Sequence, residues 1–215
     1  MAGKLNVLVL ETDRGAADAA VEELTAAGHQ VLRCHDAGAP SFPCRGVDDT
    51  RQCPFDTTPV DVALTVRSRP RSQPSPLEDG VSCALRRHVP LVVAGPAVMN
   101  PYEEYAAEVL DRTYDVTAAV ERAAGAPLPT HGARAADALA GVLAVHGVEG
   151  CTPKVTVHRH AGRLSVSVED ADGLDHAVKS VASVRIIGAL RELDRDAAGI
   201  DVVFEDRGAR RPVSR

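Results

Sequence analysis

Four cysteines in the first half of the chain are the residues best suited to chemistry. Cys34, Cys44 and Cys53 lie within residues 34–59, CHDAGAPSFPCRGVDDTRQCPFDTTP, and Cys83 follows later in the chain. Four thiolates are common ligands of a tetrahedral Zn²⁺ ion and of iron–sulfur clusters. The four cysteines therefore form a candidate metal site, for which Zn²⁺ or an iron–sulfur cluster is the expected cofactor.

Two other interpretations of these cysteines stay open. A redox-responsive disulfide could join Cys44 and Cys53, or the thiols could be small hydrophobic residues without a shared role. The chain contains no C-x-x-C pair, and His35 and His88 are possible substitute ligands. A loop as long as 34–59 inside a compact domain is usually functional or tied down by a bound group.

The elements that position these residues are short apolar runs that alternate with helical patterns. The runs are typical of buried parallel strands, and the helical patterns repeat small apolar residues at three- and four-residue spacing. Such alternation predicts an α/β fold, an open parallel sheet with helices on both faces. The predicted strands cover residues 5–10, 29–34, 60–66, 89–94 and 108–112.

A family resemblance sharpens this fold prediction. Residues 7–29, VLVLETDRGAADAAVEELTAAGH, resemble the opening of a response-regulator receiver domain. Three later segments, VDVALTVRSRP, PLVVAGPA and EVLDRTYD, resemble the third, fourth and fifth strands of that family. The likeness covers about residues 5–124 and implies a flavodoxin-like sheet of strand order 2-1-3-4-5 for residues 1–124.

The receiver family needs adjacent acids to hold Mg²⁺, an Asp that accepts phosphate, a Ser or Thr, and a Lys. The metal and the Lys neutralise the charge that develops on the transferred phosphoryl group. At the matching positions this chain has Glu11 followed by Thr12, then Val66, Ala94 or Gly95, and Arg112. We therefore expect a pseudo-receiver that cannot be phosphorylated in the usual way. Asp13 could replace the missing acid through a small shift in register.

The flavodoxin-like order also suggests that the cysteines converge. Cys34 lies at the carboxyl end of the second predicted strand, at the edge of the sheet where α/β proteins bind ligands. Cys83 lies on a predicted helix over residues 76–87. In such a sheet, this helix and the element after the second strand pack on the same face. The basic, Pro-rich segment 67–76, RSRPRSQPSP, is expected to be a solvated loop.

The second half of the chain is predicted to be a separate small module. A Pro/Gly-rich hinge at 125–132 precedes a helix, a β-hairpin with Ala161 and Gly162 at its turn, a second helix and a last strand. This α+β order, αββαβ over 133–206, loosely resembles a BON domain or an alkaline-shock-type module. Its sheet would leave an edge strand open for pairing, which favours a homo-oligomer. Residues 207–215 are expected to be a disordered basic tail.

Composition limits the remaining possibilities. The 215 residues carry a formal net charge of −6, which disfavours nucleic acid and anionic membranes as partners. No apolar run reaches the ~20 residues that span a bilayer, and the N-terminal segment lacks the features of a signal peptide. We expect a cytoplasmic protein with protein partners.

The leading functional hypothesis is a non-catalytic regulatory or assembly protein, with a degenerate receiver domain, that senses metal or redox state through the four cysteines. One alternative is an enzyme that uses the carboxyl edge of the sheet, where Glu11, Thr12, Asp13 and a reactive Cys34 would line the pocket. Another is a structural subunit of a larger assembly.

Overall fold

The computed structural model describes residues 3–36, 39, 41–49, 52–96 and 98–205, with only the backbone of Asp48. The chain divides into two compact units, Met1–Gly125 and Ala126–Arg215. The predicted tail at 207–215 lies outside the described residues.

The first unit is an α/β domain whose strands and helices alternate along the chain. Its strands are β1 (Asn6–Glu11), β2 (Gln30–Leu32), β3 (Val62–Val66), β4 (Leu91–Ala94) and β5 (Glu108–Leu110). Its helices are α1 (Asp18–Ala26), α2 (Arg45–Asp48), α3 (Pro54–Thr57), α4 (Gly80–Arg86) and α5 (Val116–Gly125). Two 3₁₀ turns, Pro76–Glu78 and Glu103–Tyr105, complete the unit.

The five strands form one parallel sheet in the order β2-β1-β3-β4-β5. In the centre, Val7 pairs with Val62 and Glu11 with Val66, so β1 and β3 end at the same edge. The central strands are buried on both faces, which is why they are continuous apolar runs rather than alternating ones. The predicted flavodoxin-like order 2-1-3-4-5 is confirmed.

The sheet separates two hydrophobic clusters in the first unit. One contains α1, α5 and strand residues such as Val9 and Leu64. The other contains α4 and strand residues such as Leu10 and Val93, with Cys34 and Phe55 packed at its margin. Because β1 alternates between the two clusters, neighbouring residues on this strand belong to opposite faces of the sheet.

The second unit is a small α+β module with the predicted order αββαβ. It contains α6 (Pro129–Val145), β6 (Lys154–His160), β7 (Arg163–Glu169), α7 (His176–Leu193) and β8 (Gly199–Glu205). The sheet order is β6-β7-β8, with β6 antiparallel and β8 parallel to β7. Both helices contribute buried side chains to a single core with the sheet.

The buried Asp194 carboxylate connects the helices and the sheet of this module. The Asp194 carboxylate, just after α7, accepts hydrogen bonds from Arg159 on β6 and from His131 on α6, the latter over 3.4 Å. All three side chains are almost fully buried, so each must find its partner inside the module. The contact therefore joins both helices to the sheet.

Some local boundaries differ from the sequence predictions. Within the segment predicted as a hinge, 125–132, α5 ends at Gly125 and α6 begins at Pro129. Proline is favoured in the first turn of a helix, where its missing N–H costs nothing. α7 continues through Gly188 without interruption, although glycine weakens the interior of a helix. None of the described helices is long and apolar enough to cross a membrane.

Candidate functional site

The carboxyl edge of the first sheet is where a receiver domain would carry its chemistry. Glu11 ends β1 and is almost fully buried, and one of its oxygens accepts the backbone N–H of Ala17 at 3.2 Å. Val66 ends β3 and Ala94 ends β4, both without solvent exposure. The described residues at the ends of β3 and β4 thus carry neither a carboxylate nor a hydroxyl group.

Asp13, the other acid at this edge, is held by cations. Arg69 and Arg71 donate hydrogen bonds to it at 2.9 and 3.1 Å, and the Ser68 hydroxyl donates a further bond. The hydrogen bonds from Arg69 and Ser68 lower the pKa of the Asp13 carboxyl to about 2. A carboxylate already paired with two guanidinium groups is a poor ligand for Mg²⁺, because the metal must displace them.

The segment that delivers these arginines is anchored in the interior. Arg67 is fully buried and donates to Glu78 at 2.9 Å and to the carbonyl oxygen of Arg71 at 2.8 Å. Glu78 also accepts the Thr65 hydroxyl and the Ser75 backbone N–H. The expectation of a solvated loop at 67–76 is therefore wrong near both of its ends, because Arg67 and Ser75 are buried and both donate to Glu78.

Arg112, near the position of the receiver lysine, points to local partners. It forms an ion pair of 3.5 Å with Asp115 and lies over the Tyr114 ring at 5.4 Å. Both contacts are exposed and lie within three residues along the chain. Arg112 thus has a local structural contact, with no link to Asp13 or Glu11 among the contacts described.

The structure brings Cys34 against α4. Cys34 lies two residues beyond β2, and a side-chain carbon at Gly80 would come within 2.9 Å of its sulfur. Gly80 begins α4, and Cys83 lies three residues further along this helix, on the same side. The absence of a side chain at Gly80 is what allows the Cys34 thiol to approach the helix.

Two further close contacts connect the remaining thiols. The Arg45 backbone N–H donates to the Cys34 carbonyl oxygen at 3.1 Å, which places the adjacent Cys44 beside Cys34. A side-chain carbon at Gly46 would lie 2.8 Å from Cys53 Cβ and 3.3 Å from its sulfur. Cys44 and Cys53 directly precede the short helices α2 and α3, respectively. These contacts link the four cysteines into one region.

Burial favours the protonated form of two thiols in this region, Cys34 and Cys53. Burial raises the pKa of Cys34 to about 12, and the neighbouring Cys83, Cys44 and Cys53 act in the same direction. Burial also raises the pKa of the Cys53 thiol. A site in which several thiolates would repel one another favours neutral thiols, or a cation that compensates the charge.

His35 adds a nitrogen that lacks a partner. Its Nδ1 atom is buried and has no hydrogen bond within the described part of the chain. Burial lowers the pKa of this imidazole, and the Arg33 and Arg45 side chains also lower it, so the ring is neutral near neutral pH. Neutral imidazole is the form that binds metals.

The described cysteines are all free thiols, and no group of three or more Cys, His, Asp or Glu side chains among the described residues could hold a metal ion. The four thiols thus share a region without forming ligand geometry, and the metal site stays a prediction. Cys151 lies in the second unit, with its sulfur 3.8 Å from the Asp170 carbonyl oxygen.

Sequence reasoning missed the residues that shape this edge. The Asp13–Arg69–Arg71 cluster and the Arg67–Glu78 pair join segments that are distant in the sequence. One local signal was present: Ser75 and Glu78 form a capping box, the S-x-x-E pattern that starts a helical turn. Comparison with known proteins adds nothing to these observations, since no family model, curated protein or solved structure matches the chain.

Proposed function

We propose that this chain is a non-catalytic regulatory or assembly protein. Its receiver-like domain does not accept phosphate and instead senses metal or redox state through Cys34, Cys44, Cys53 and Cys83. The observation that carries the proposal is the packing of two glycines, Gly46 and Gly80, against cysteines of this group.

Residues at the carboxyl edge of the first sheet support the proposal that the receiver-like domain does not accept phosphate. A phosphorylated receiver needs an acceptor carboxylate and a metal-binding acid pair, and Val66 and Thr12 occupy two of these three positions. The remaining candidate, Asp13, is already neutralised by Arg69 and Arg71. Phosphoryl transfer depends on a metal and on positioned charge, so the described residues at this edge support the proposal that the domain does not accept phosphate.

The four thiols support the proposal that this domain senses metal or redox state. Zn²⁺ and iron–sulfur clusters bind deprotonated cysteine, and a bound cation would favour the thiolate form of Cys34, which burial and the neighbouring cysteines disfavour. The four residues belong to separate pieces of chain: the end of β2, the starts of α2 and α3, and α4. A bound metal would cross-link these pieces and fix residues 34–59 on the sheet. The resulting surface is the one that we propose a partner protein recognises.

The raised pKa of Cys34 also weighs against the enzyme hypothesis. A catalytic cysteine reacts as its thiolate, and enzymes lower the pKa of such a thiol with nearby cations or a helix N-terminus. Burial moves the pKa of Cys34 in the opposite direction, to about 12. We therefore assign the thiol a binding role. We also propose a cytoplasmic location, because a reducing compartment would keep these thiols unpaired.

The proposal is tested by replacing cysteines in protein purified without oxygen. Cys44→Ser and Cys53→Ser should each increase backbone hydrogen exchange in peptides covering α2 and α3, because the cross-link between these segments is lost. Cys151→Ser is the matched control, since this half-buried cysteine belongs to the second unit. Equal exchange in all three variants and the parent protein would contradict the proposal.

A further inference from the structure

The two edges of the second sheet differ in how their backbone is covered. At β6, the Leu128 N–H donates to the Val157 carbonyl oxygen at 2.7 Å, and Gly132 of α6 lies close to the Val155 carbonyl. The start of α6 thus covers this edge. At β8, the described residues provide no comparable cover, because β8 is bonded only on its β7 side.

The backbone of β8 directs alternate residues to the open edge. The Glu205 carbonyl oxygen accepts the Ala171 N–H, from the chain that follows β7, so Glu205 faces the β7 side. Alternate residues of a strand direct their backbone groups to opposite sides. Ile200, Val202 and Phe204 therefore present their N–H and C=O groups at the open edge.

The side chains of β8 are also incompletely covered. Ile200, Val202 and Phe204 face the helices but are only half-buried at the margin of the core. On the other face, Val203 is 49% exposed. The strand is seven residues long and has no lysine or proline, the residues that commonly protect an edge from pairing. Such an edge is a template for another strand.

We propose that β8 pairs with β8 of a second copy of this chain, antiparallel and about a two-fold axis at Val202. This register overlaps all seven residues and places Ile200 opposite Phe204 on the helix side. It also pairs backbone groups of β8 that have no partner among the described residues. The proposal deepens the prediction that the open edge of this sheet favours a homo-oligomer, and it names the surface that would form the contact.

Charge selects this register over its neighbours. An axis at Asp201 would place two Asp201 carboxylates face to face, and an axis at Val203 would place Asp201 opposite Glu205. Like charges directly opposite one another destabilise a sheet. With the axis at Val202, Asp201 faces Val203, and no acid faces another acid across the new contact.

The same register brings Glu205 close to Arg163 of the second copy, a cation that already pairs with Asp201 of its own chain at 2.8 Å. Glu205 would lie opposite Gly199 of the second copy, where the Arg163 guanidinium comes within 2.8 Å of the position of a side-chain carbon. Within one chain, Glu205 lies beside Glu169 on β7, an unfavourable neighbour of the same charge. Pairing would therefore place the acidic end of each β8 strand against the Arg163 of the other copy.

The first test measures the mass of the full chain in solution by sedimentation equilibrium. We expect a dimer that Val202→Pro converts to a monomer. Proline is tolerated on edge strands where its missing N–H faces outward, so the module should retain its circular dichroism spectrum. The matched control is Val184→Lys on the exposed face of α7, which should remain dimeric. A monomeric parent up to roughly 1 mM protein, or a dimer lost with Val184→Lys and kept with Val202→Pro, would overturn the proposal.

The second test determines the register of the β8–β8 pairing by cysteine cross-linking. Asp201 and Val203 would face each other across the contact as a non-hydrogen-bonded pair, whose Cα atoms lie about 4.5 Å apart, within disulfide range. Mixed Asp201→Cys and Val203→Cys chains should cross-link after oxidation, identified by peptide mapping, and neither variant should do so alone. Cross-linking of Val203→Cys with itself, or no cross-link in the mixture, would refute this register. Both tests concern the second unit, so their failure is distinct from failure of the cysteine proposal.

Discussion

The contact between Gly80 and Cys34 leads to a quantitative prediction about the first unit. In Gly80→Ala, the new methyl carbon would lie 2.8 Å from Leu10 Cδ2 and 2.9 Å from Cys34 Sγ. Carbon atoms normally approach no closer than about 3.5 Å, so each contact is too short by more than half an ångström. Leu10 is nearly fully buried and has no free space to move into.

The expected cost follows from these contacts. Overpacking of a close-packed core destabilises by about 1–3 kcal/mol. Replacing glycine by alanine in a helix returns at most about 1 kcal/mol, and less at the first position of α4. We therefore expect the free energy of unfolding to fall by about 1–2 kcal/mol, which lowers the urea midpoint by roughly 0.5–1 M for a domain of this size.

The assay is tyrosine fluorescence during urea unfolding. The chain has no tryptophan, and its three tyrosines, at 102, 105 and 114, all lie in the first unit, so the signal reports that unit alone. Gly125→Ala is the matched control in α5, because no atom lies within 4 Å of its added carbon. Its midpoint should stay constant or rise. An equal or higher midpoint for Gly80→Ala would refute the close contact with Cys34.

Two further predictions concern the pKa shifts. Cys34 should react with iodoacetamide at mildly alkaline pH roughly a thousandfold more slowly in the folded protein than in urea, because its pKa of about 12 lies well above the ordinary 9.0. Labelling rates are measured by mass spectrometry, and equal rates in the two states would contradict this prediction. Asp13→Asn should lower the stability of the first unit at neutral pH by about 1 kcal/mol, since Arg69 and Arg71 lose their partner. Because the pKa of Asp13 is lowered from 3.8 to about 2, this difference should disappear as the pH falls through that range; a difference that persists at pH 2 would show another origin.

The sheet of the first unit could be predicted because its central strands have a distinctive sequence pattern. β1, β3 and β4 are runs of aliphatic residues buried on both faces, and this pattern has few other interpretations. The short helices α2 and α3 were not predicted, because four residues are too few to show a period. The local signals at the start of α3 were Pro54 and Asp56 in its first turn.

The candidate site was predicted only in part. The four cysteines could be singled out by type, and the strand order placed Cys34 and Cys83 on related elements. The contacts that bring them together depend on Gly46 and Gly80, whose role is visible only when other segments pack against them. The ion pairs of Asp13 escaped prediction for the same reason, since Arg69 and Arg71 are more than fifty residues away.

Metal analysis of the purified full chain tests the central claim most directly. Protein purified without oxygen should contain about one Zn²⁺ per chain, or the two to four iron atoms of one cluster. Cys44→Ser should remove the metal, and Cys151→Ser should retain it. Absence of both metals from protein whose thiols are reduced, or an equal metal content in the two variants, would contradict a metal site at Cys34, Cys44, Cys53 and Cys83.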